Sequence, residues 1–301
     1  TNNKMTNHSK ITIMETGLRD GLQVVEKYVA IKDRLTVING LIDAGIKNIQ
    51  VTSLVNPKKV PQMSEAEKLI KGLQHHECVE YSALVFNQIG IQRALKSGIN
   101  KLETSISISE SYNQKNLGLD NLQSLERLQN IIKSSLENNI KIRAGLQCVW
   151  GYGYEYKSIH KVIIKIISSI LELGVNRISL CDTSGMAKPE SIFSLLELIY
   201  YKFPEIHLCL HLHNTYGTGL DNLKYALQFD IKELDTSLGG IGGTPFIKES
   251  KGNIATEDTI NLLEKMGYDT GINIEKVSNY SRFLEGIIGK CYFSGNLYNN
   301  I

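Results

Sequence analysis

The chain is poor in features that would mark a specialised class. Its five cysteines, Cys78, Cys148, Cys181, Cys209 and Cys291, are odd in number, scattered and never spaced Cys-x-x-Cys. That argues against a disulfide framework and for reduced thiols in a cytoplasmic protein. No apolar run approaches the roughly 20 residues that span a bilayer, so no membrane partner is expected. Thr1 to His8 is polar and lacks the apolar core of a signal peptide. Basic and acidic residues nearly balance, 33 against 31, and no dense Lys/Arg stripe suggests a nucleic-acid partner. No linker, low-complexity tract or domain boundary interrupts the sequence. No Gly-x-Gly-x-x-Gly follows the first apolar segment, which counts against a dinucleotide-binding open sheet.

What is present is a soluble, globular composition over 301 residues, enough for one large domain or two ordinary ones. Short apolar segments alternate with helical patterns. The strand candidates are 11–14, 48–52, 80–85, 101–107, 141–148, 177–181, 206–213 and 233–237. Helical periodicity falls at 31–44, from Ser64 onward, at 89–96, within 116–138, and at 158–173, 189–202, 220–229 and 255–266. Ser64 with Glu67 three residues later reads as a capping box, and Pro189 suits the first turn of its helix. Eight β-then-α units of about 30 residues predict a (β/α)8 TIM barrel, a single domain over 1–301 with 274–301 as a C-terminal helical extension.

The centre of this pattern is His211-Leu212-His213, at the end of the seventh strand candidate. Alternation along a strand puts both imidazoles on one face, where they can hold a divalent metal. Alone, His-x-His is a weak signal and a pair of satisfied core histidines is the commoner case. In a barrel, however, every strand's C-terminal end opens onto the same face. Arg19 and Asp20 follow strand one, Gln50 and Ser53 close strand two, and Asn87 follows strand three. Ser109 and Glu110 follow strand four, Asp182 follows strand six, and Asn253 lies in the loop after strand eight. A carboxylate from Asp20 and an amide oxygen from Asn253 would complete a site suited to Mg²⁺ or Mn²⁺, with Zn²⁺ or Co²⁺ as alternatives. The glycines of Gly239-Gly240-Ile241-Gly242-Gly243 are either a flexible turn or a weak phosphate cradle.

These residues resemble the 3-hydroxy-3-methylglutaryl-CoA lyase family. Thr16-Gly17-Leu18-Arg19-Asp20-Gly21-Leu22-Gln23 is similar to its signature, which usually begins Val-Gly-Pro. Thr52 to Met63 looks like its second-strand loop, and Ser109-Glu110 with Lys115-Asn116, Asp182-Thr183 with Gly185, and His211-x-His213-x-Thr215-Tyr216-Gly217 match in order. Gly242-Gly243-Thr244-Pro245-Phe246 leading to Gly252-Asn253-Ile254-Ala255-Thr256-Glu257-Asp258 completes the series, so the likeness runs from about Ile11 to Asn273.

The resemblance implies a metal-dependent lyase on a TIM barrel, with Asp20, His211, His213 and Asn253 as metal ligands. It implies that Arg19 holds the oxygen that becomes an enolate, and that His211 and Asp182 organise proton transfer. Gln23, Ser53, Asn87 and Ser109 are then candidates for binding the substrate, an acyl-CoA by resemblance, and a homodimer is a further expectation. Two positions depart from the family: Thr244 stands where a cysteine is usual, and Gln50 where a glutamate is usual. A hydroxyl does not exchange protons near neutrality as a thiol of pKa ~8.5 can. The expected activity is retro-aldol cleavage of a 3-hydroxyacyl-CoA. A divergent aldolase or condensing enzyme of the family is the alternative, and a weakly active scaffold protein a more distant one.

Overall fold

The computed structural model describes residues 10–152, 159–242 and 252–301. Thr244 and Ser158, both part of the sequence reading, lie outside them. Eight strands form a closed parallel barrel in sequence order: β1 (Thr12–Glu15), β2 (Asn48–Ser53), β3 (Glu80–Leu84), β4 (Lys101–Ser107), β5 (Lys141–Gln147), β6 (Arg177–Cys181), β7 (His207–His211) and β8 (Glu233–Thr236). β8 pairs back onto β1 through Ile13 with Leu234 and Met14 with Asp235. The barrel predicted from β-then-α alternation is therefore the fold.

Helices wrap the barrel. They are α1 (Ile31–Asp43), α2 (Ala66–Gly72), α3 (Gln88–Ser97), α4 (Glu110–Leu117), α5 (Asn121–Glu137), α6 (Ile159–Glu172), α7 (Pro189–Lys202), α8 (Gly219–Ala226), α9 (Thr256–Lys265) and α10 (Ile274–Ile288). Apolar strand residues such as Leu208 and Leu210 of β7 are fully buried, as are the facing Leu195, Leu196 and Ile199 of α7. Burying a leucine or isoleucine side chain is worth about 1.5–3 kcal/mol, so this shell between strands and helices is the main source of stability.

The structure differs from the sequence reading in three places. The helix sought within 116–138 is two helices, α4 and α5. Gly118 ends α4 at φ +70, a left-handed conformation that costs glycine little. Asp120 and Gln123 then form a reciprocal capping box that starts α5. The Ser64–Glu67 capping box is absent. A short helical turn, Pro61–Met63, runs into Ser64, and α2 begins at Ala66. Arg93 takes both Glu67 oxygens, at 2.5 and 2.9 Å, so that carboxylate is engaged by α3. Third, β7 ends at His211, and His213 lies beyond it in a single bridge to Asn253. The 274–301 tail holds α10 and a turn at Lys290–Tyr292. The amide of Asn273, at its start, donates to the Ala44 carbonyl at 2.7 Å and so ties the tail to the end of α1.

Candidate active site

The site is built where strand ends meet. After β1 the chain makes one wide turn over Gly17–Gly21, in which the Thr16 carbonyl accepts from the amides of Arg19 (3.0 Å), Asp20 (2.8 Å) and Gly21 (3.4 Å). A turn wider than an α-helix is often found at functional sites, and here it brings two adjacent charged residues inward, Arg19 at 9% exposure and Asp20 at 7%. Arg19 Nη1 donates to Asp20 Oδ1 at 2.5 Å, and Arg19 Nε donates to the side-chain oxygen of Gln50 from β2. The guanidinium is thus clamped from two sides. Gln23 Nε2 also donates to Asp20 Oδ1, at 3.0 Å.

Across the barrel mouth, His211 Nε2 and His213 Nε2 lie 3.2 Å apart, and Asp20 Oδ2 is 3.7 Å from His211 Nε2. Ligand atoms of these three buried residues all fall within 4.8 Å of one another, the one such group among the described residues. Two ligands about 2.1 Å from one ion at a right angle are about 3 Å apart, so the histidine separation fits a shared ion. Asn253 is knit to this segment by backbone hydrogen bonds. The Asn214 amide donates to the Gly252 carbonyl, and the Ile254 amide to the Leu212 carbonyl, both at 3.1 Å. Its Nδ2 donates to Asp20 Oδ2 at 2.9 Å and to the Ile241 carbonyl at 3.2 Å. Its Oδ1 is buried with no partner. A buried polar atom left unpaired costs about 1–3 kcal/mol, so Oδ1 is placed where an added partner would be favourable. Gly242 makes room for it: at φ +130, a Cβ there would come within 2.5 Å of Asn253 Nδ2.

Charge in the site is sorted by its surroundings. Burial alone would raise the Asp20 carboxyl, but Arg19, His211 and His213 outweigh it and hold the group below the usual carboxylate range. Burial, reinforced by the His211 charge, pushes His213 down to about 3, so it is a neutral imidazole able to ligate. His211 goes the other way. Burial opposes its charge, but the hydrogen bond to Asp235 and the Asp20 charge raise it. Asp182, after β6, is pushed up to about 7 by burial, although backbone amides oppose the shift. Its Oδ1 accepts from the Ala187 amide at 3.2 Å while Oδ2 has no partner. Its own amide donates to the His211 carbonyl at 2.9 Å, locking the two strand ends together.

The structure brings Arg19, Asp20, Gln23, Gln50 and Asn253 into one hydrogen-bonded group, with the His211–His213 pair 3.7 Å from Asp20. Ser53 is buried at the end of β2. Asn87 and Ser109 are helix caps: Asn87 accepts from the Gly90 amide at 2.9 Å and Ser109 from the Tyr112 amide at 3.2 Å. Asn87 is exposed, Ser109 buried.

The sequence reading missed the charged groups beneath the site. Glu103, Arg143, Glu233 and Asp235 all point into the barrel, and their ion pairs run up to His211. Glu15 and Glu257 brace the glycine turn that follows β8. Glu15 Oε1 accepts from the amides of Gly17 (2.8 Å) and Leu238 (2.9 Å), and Glu257 Oε2 from Gly239 (2.9 Å). Charged residues inside strand candidates, at period two in Glu233-Leu234-Asp235, were the signal available. Such residues are almost never fully buried unless paired.

The profile of the HMGL-like family matches residues 10–284 of this sequence. The chain belongs to that family. It is 38% identical to the hydroxymethylglutaryl-CoA lyase of Bacillus subtilis over 96% of both chains. It is 32% identical to the human mitochondrial hydroxymethylglutaryl-CoA lyase, over 91% of this chain and 85% of that one. The fold superposes on the crystal structure of the B. subtilis HMG-CoA lyase with a TM-score of 0.89, covering 93% of this chain and 94% of that one. It superposes on an HMG-CoA lyase from Acinetobacter baumannii, solved in complex with coenzyme A and 3-methylmalate, with a TM-score of 0.90 at 30% identity, covering 96% and 94%. Similarity to the carboxyl transferase domain of Rhizobium etli pyruvate carboxylase, 14% identical with a TM-score of 0.74 over 97% of this chain and 51% of that one, concerns the fold alone. As a member of the HMGL-like family, the chain shares its barrel and its enzyme class, that of carbon–carbon lyases.

Proposed function

We propose that this protein is a divalent-metal-dependent lyase that cleaves a 3-hydroxyacyl-CoA by a retro-aldol route. The observation that carries the reading is the buried, unpartnered Asn253 Oδ1 beside Asp20, His211 and His213. One carboxylate, two imidazoles and an amide oxygen would hold Mg²⁺ or Mn²⁺, with Zn²⁺ or Co²⁺ as alternatives. When bound, such an ion lowers the pKa of a substrate hydroxyl and draws charge to its oxygen.

The remaining work falls to side chains. Asp182, with a carboxyl near 7 and a free Oδ2, is matched to taking the hydroxyl proton at neutral pH. As that proton leaves, the bond between the hydroxyl-bearing carbon and the α-carbon breaks. Its electron pair moves into the thioester carbonyl, giving a ketone and an enolate. Arg19, permanently charged and clamped by Asp20 and Gln50, stabilises the enolate oxygen. A proton delivered to the α-carbon then completes the acyl-CoA product. Gln23, Ser53 and Ser109, with Asn87 further out, are proposed to hold the substrate. The coenzyme A seen in the A. baumannii relative supports a CoA thioester.

Gln50 and Thr244 are specific grounds for a second reading, an aldolase or condensing enzyme with another 3-hydroxyacyl substrate. In the condensing direction the enolate attacks a carbonyl carbon and no acid is needed to protonate it. The two readings separate in one assay, acetyl-CoA release from 3-hydroxy-3-methylglutaryl-CoA with Mg²⁺ or Mn²⁺, for wild type and Thr244→Cys. Turnover near 1–10³ s⁻¹ by the wild type would eliminate the second reading, while activity only in Thr244→Cys would assign the loss to that hydroxyl. A reducing compartment such as the cytoplasm is proposed, because all five cysteines are free.

A further inference from the structure

The interior of the barrel below the histidines carries charge in place of an apolar plug. Arg143, at 3% exposure, donates from Nη1 to Asp235 Oδ1 at 2.7 Å and from Nη2 to Asp235 Oδ2 at 3.0 Å. Its Nε donates to Glu103 Oε2 at 3.0 Å, and its Nη1 also reaches Cys209 Sγ at 2.6 Å. Cys209 Sγ in turn donates to Asp235 Oδ1 at 3.4 Å. The strand register builds this arrangement, because Glu103 on β4 stands opposite Arg143 on β5 and Asp235 on β8 stands opposite His211 on β7.

Buried ion pairs are weak stabilisers, since desolvation offsets their attraction and apolar residues of like volume do as well. Stability therefore does not explain the network, but its upper end does. Asp235 Oδ2 lies 3.1 Å from His211 Nδ1. An ionised carboxylate only accepts hydrogen bonds, so Nδ1 of a neutral His211 must carry the proton and Nε2 the lone pair, facing His213 and Asp20. The contrast with the neighbouring imidazole is direct: His213 Nδ1 is buried with no partner. Of the two rings, only His211 is held by a carboxylate at the nitrogen that faces away from the site.

We propose that Asp235, held by the two-pronged Arg143 guanidinium, is a positioning residue that fixes the ligating tautomer of His211 and thereby sets the divalent-metal affinity of the site. This rests on the metal-centre reading above and extends it to groups that touch neither metal nor substrate. Partners of this kind commonly contribute 10–100-fold to metal affinity.

The test compares wild type with Asp235→Asn, which keeps shape and volume, by two readouts that do not require turnover. In metal-free protein, at a pH above the His211 titration where the ring is neutral, ¹⁵N shifts of the histidine rings should show the Nδ1-protonated tautomer for His211 in the wild type and its loss or mixing in the variant. In a Mn²⁺ titration followed by EPR, at a temperature where both proteins are fully folded, the variant's affinity should fall by about 10–100-fold. Arg143→Lys, whose single ammonium cannot grip both Asp235 oxygens, should give an intermediate loss, and it carries the test if Asp235→Asn does not fold. An Asp235→Asn protein that binds Mn²⁺ as tightly as wild type with an unchanged His211 ring spectrum would overturn the proposal. A wild type that binds no Mn²⁺ would overturn the metal-centre reading instead, and the tautomer readout would still stand as a separate result.

Discussion

Asn253 Nδ2 donates to Asp20 Oδ2 at 2.9 Å, joining two side chains 233 residues apart in the sequence and leaving Asn253 Oδ1 buried and unpaired. The bond orients the amide so that its oxygen faces away from the carboxylate it would repel.

Metal should therefore stabilise the folded protein. At a free Mn²⁺ concentration about 100 times Kd, linkage gives about 2.7 kcal/mol, or a rise of several degrees in Tm for a chain of this size. Asn253→Ala and His213→Ala should each shrink that rise in a thermal scan with and without Mn²⁺. An equal rise in both variants would remove them from the ligand set.

The room made by glycine is a second handle on the same oxygen. Gly242→Ala places a Cβ 2.5 Å from Asn253 Nδ2 at φ +130, a strained conformation costing about 1–3 kcal/mol. The variant should unfold at lower urea and bind Mn²⁺ more weakly. Unchanged affinity would mean that Asn253 can shift without consequence.

Arg19→Lys keeps a positive charge but cannot be clamped by both Gln50 and Asp20. Its kcat should fall by about 10²–10³, with Tm close to wild type. A change confined to KM would assign Arg19 to substrate binding and not to the developing oxyanion.

The metal-free protein should lose stability as pH rises from 5 towards 7. Burial pushes Glu15, Glu257 and Asp182 each up to about 7. Between their unfolded values and 7, the folded chain holds protons that the unfolded chain has released, so stability falls with rising pH. Burial puts His213 at about 3, and its contribution runs the other way below 6.5. His211, raised against burial by Asp235 and Asp20, adds to the fall above 6.5, so three carboxyls and one imidazole against His213 leave a net fall. Urea midpoints at pH 5.5 and 7.5 measure it, and Glu257→Gln should flatten the slope by up to about 1.4 kcal/mol per pH unit. A stability that rises over this range would refute the assignment.

The barrel was legible in the sequence because strand candidates and helical patterns alternate eight times, and because each strand end carries polar residues that a barrel gathers onto one face. His211, His213, Asp20 and Asn253 could be placed together on that ground alone. Three things were less legible. Asn87 and Ser109 read as site residues, and the capping role that both side chains also take was not read, although a polar residue after a strand is where a helix begins. The Ser64–Glu67 box failed because the turn at Pro61–Met63 runs into a helical Ser64 and moves the cap of α2 to Glu65, while Arg93 takes the Glu67 carboxylate. The Arg143–Asp235 support was missed because β5 and β8 are far apart in the chain, and only closure of the barrel brings their inward faces together.

The central claim is that this site uses a divalent metal to break a carbon–carbon bond. The direct test is acetyl-CoA release from 3-hydroxy-3-methylglutaryl-CoA by chelator-stripped protein, before and after Mn²⁺ is restored, in wild type and Thr244→Cys. The account predicts no product from stripped protein, product on Mn²⁺ addition, faster release by Thr244→Cys, and none from His211→Ala. Mn²⁺ that saturates the site while neither wild type nor Thr244→Cys releases acetyl-CoA, or release that persists without metal, would contradict it.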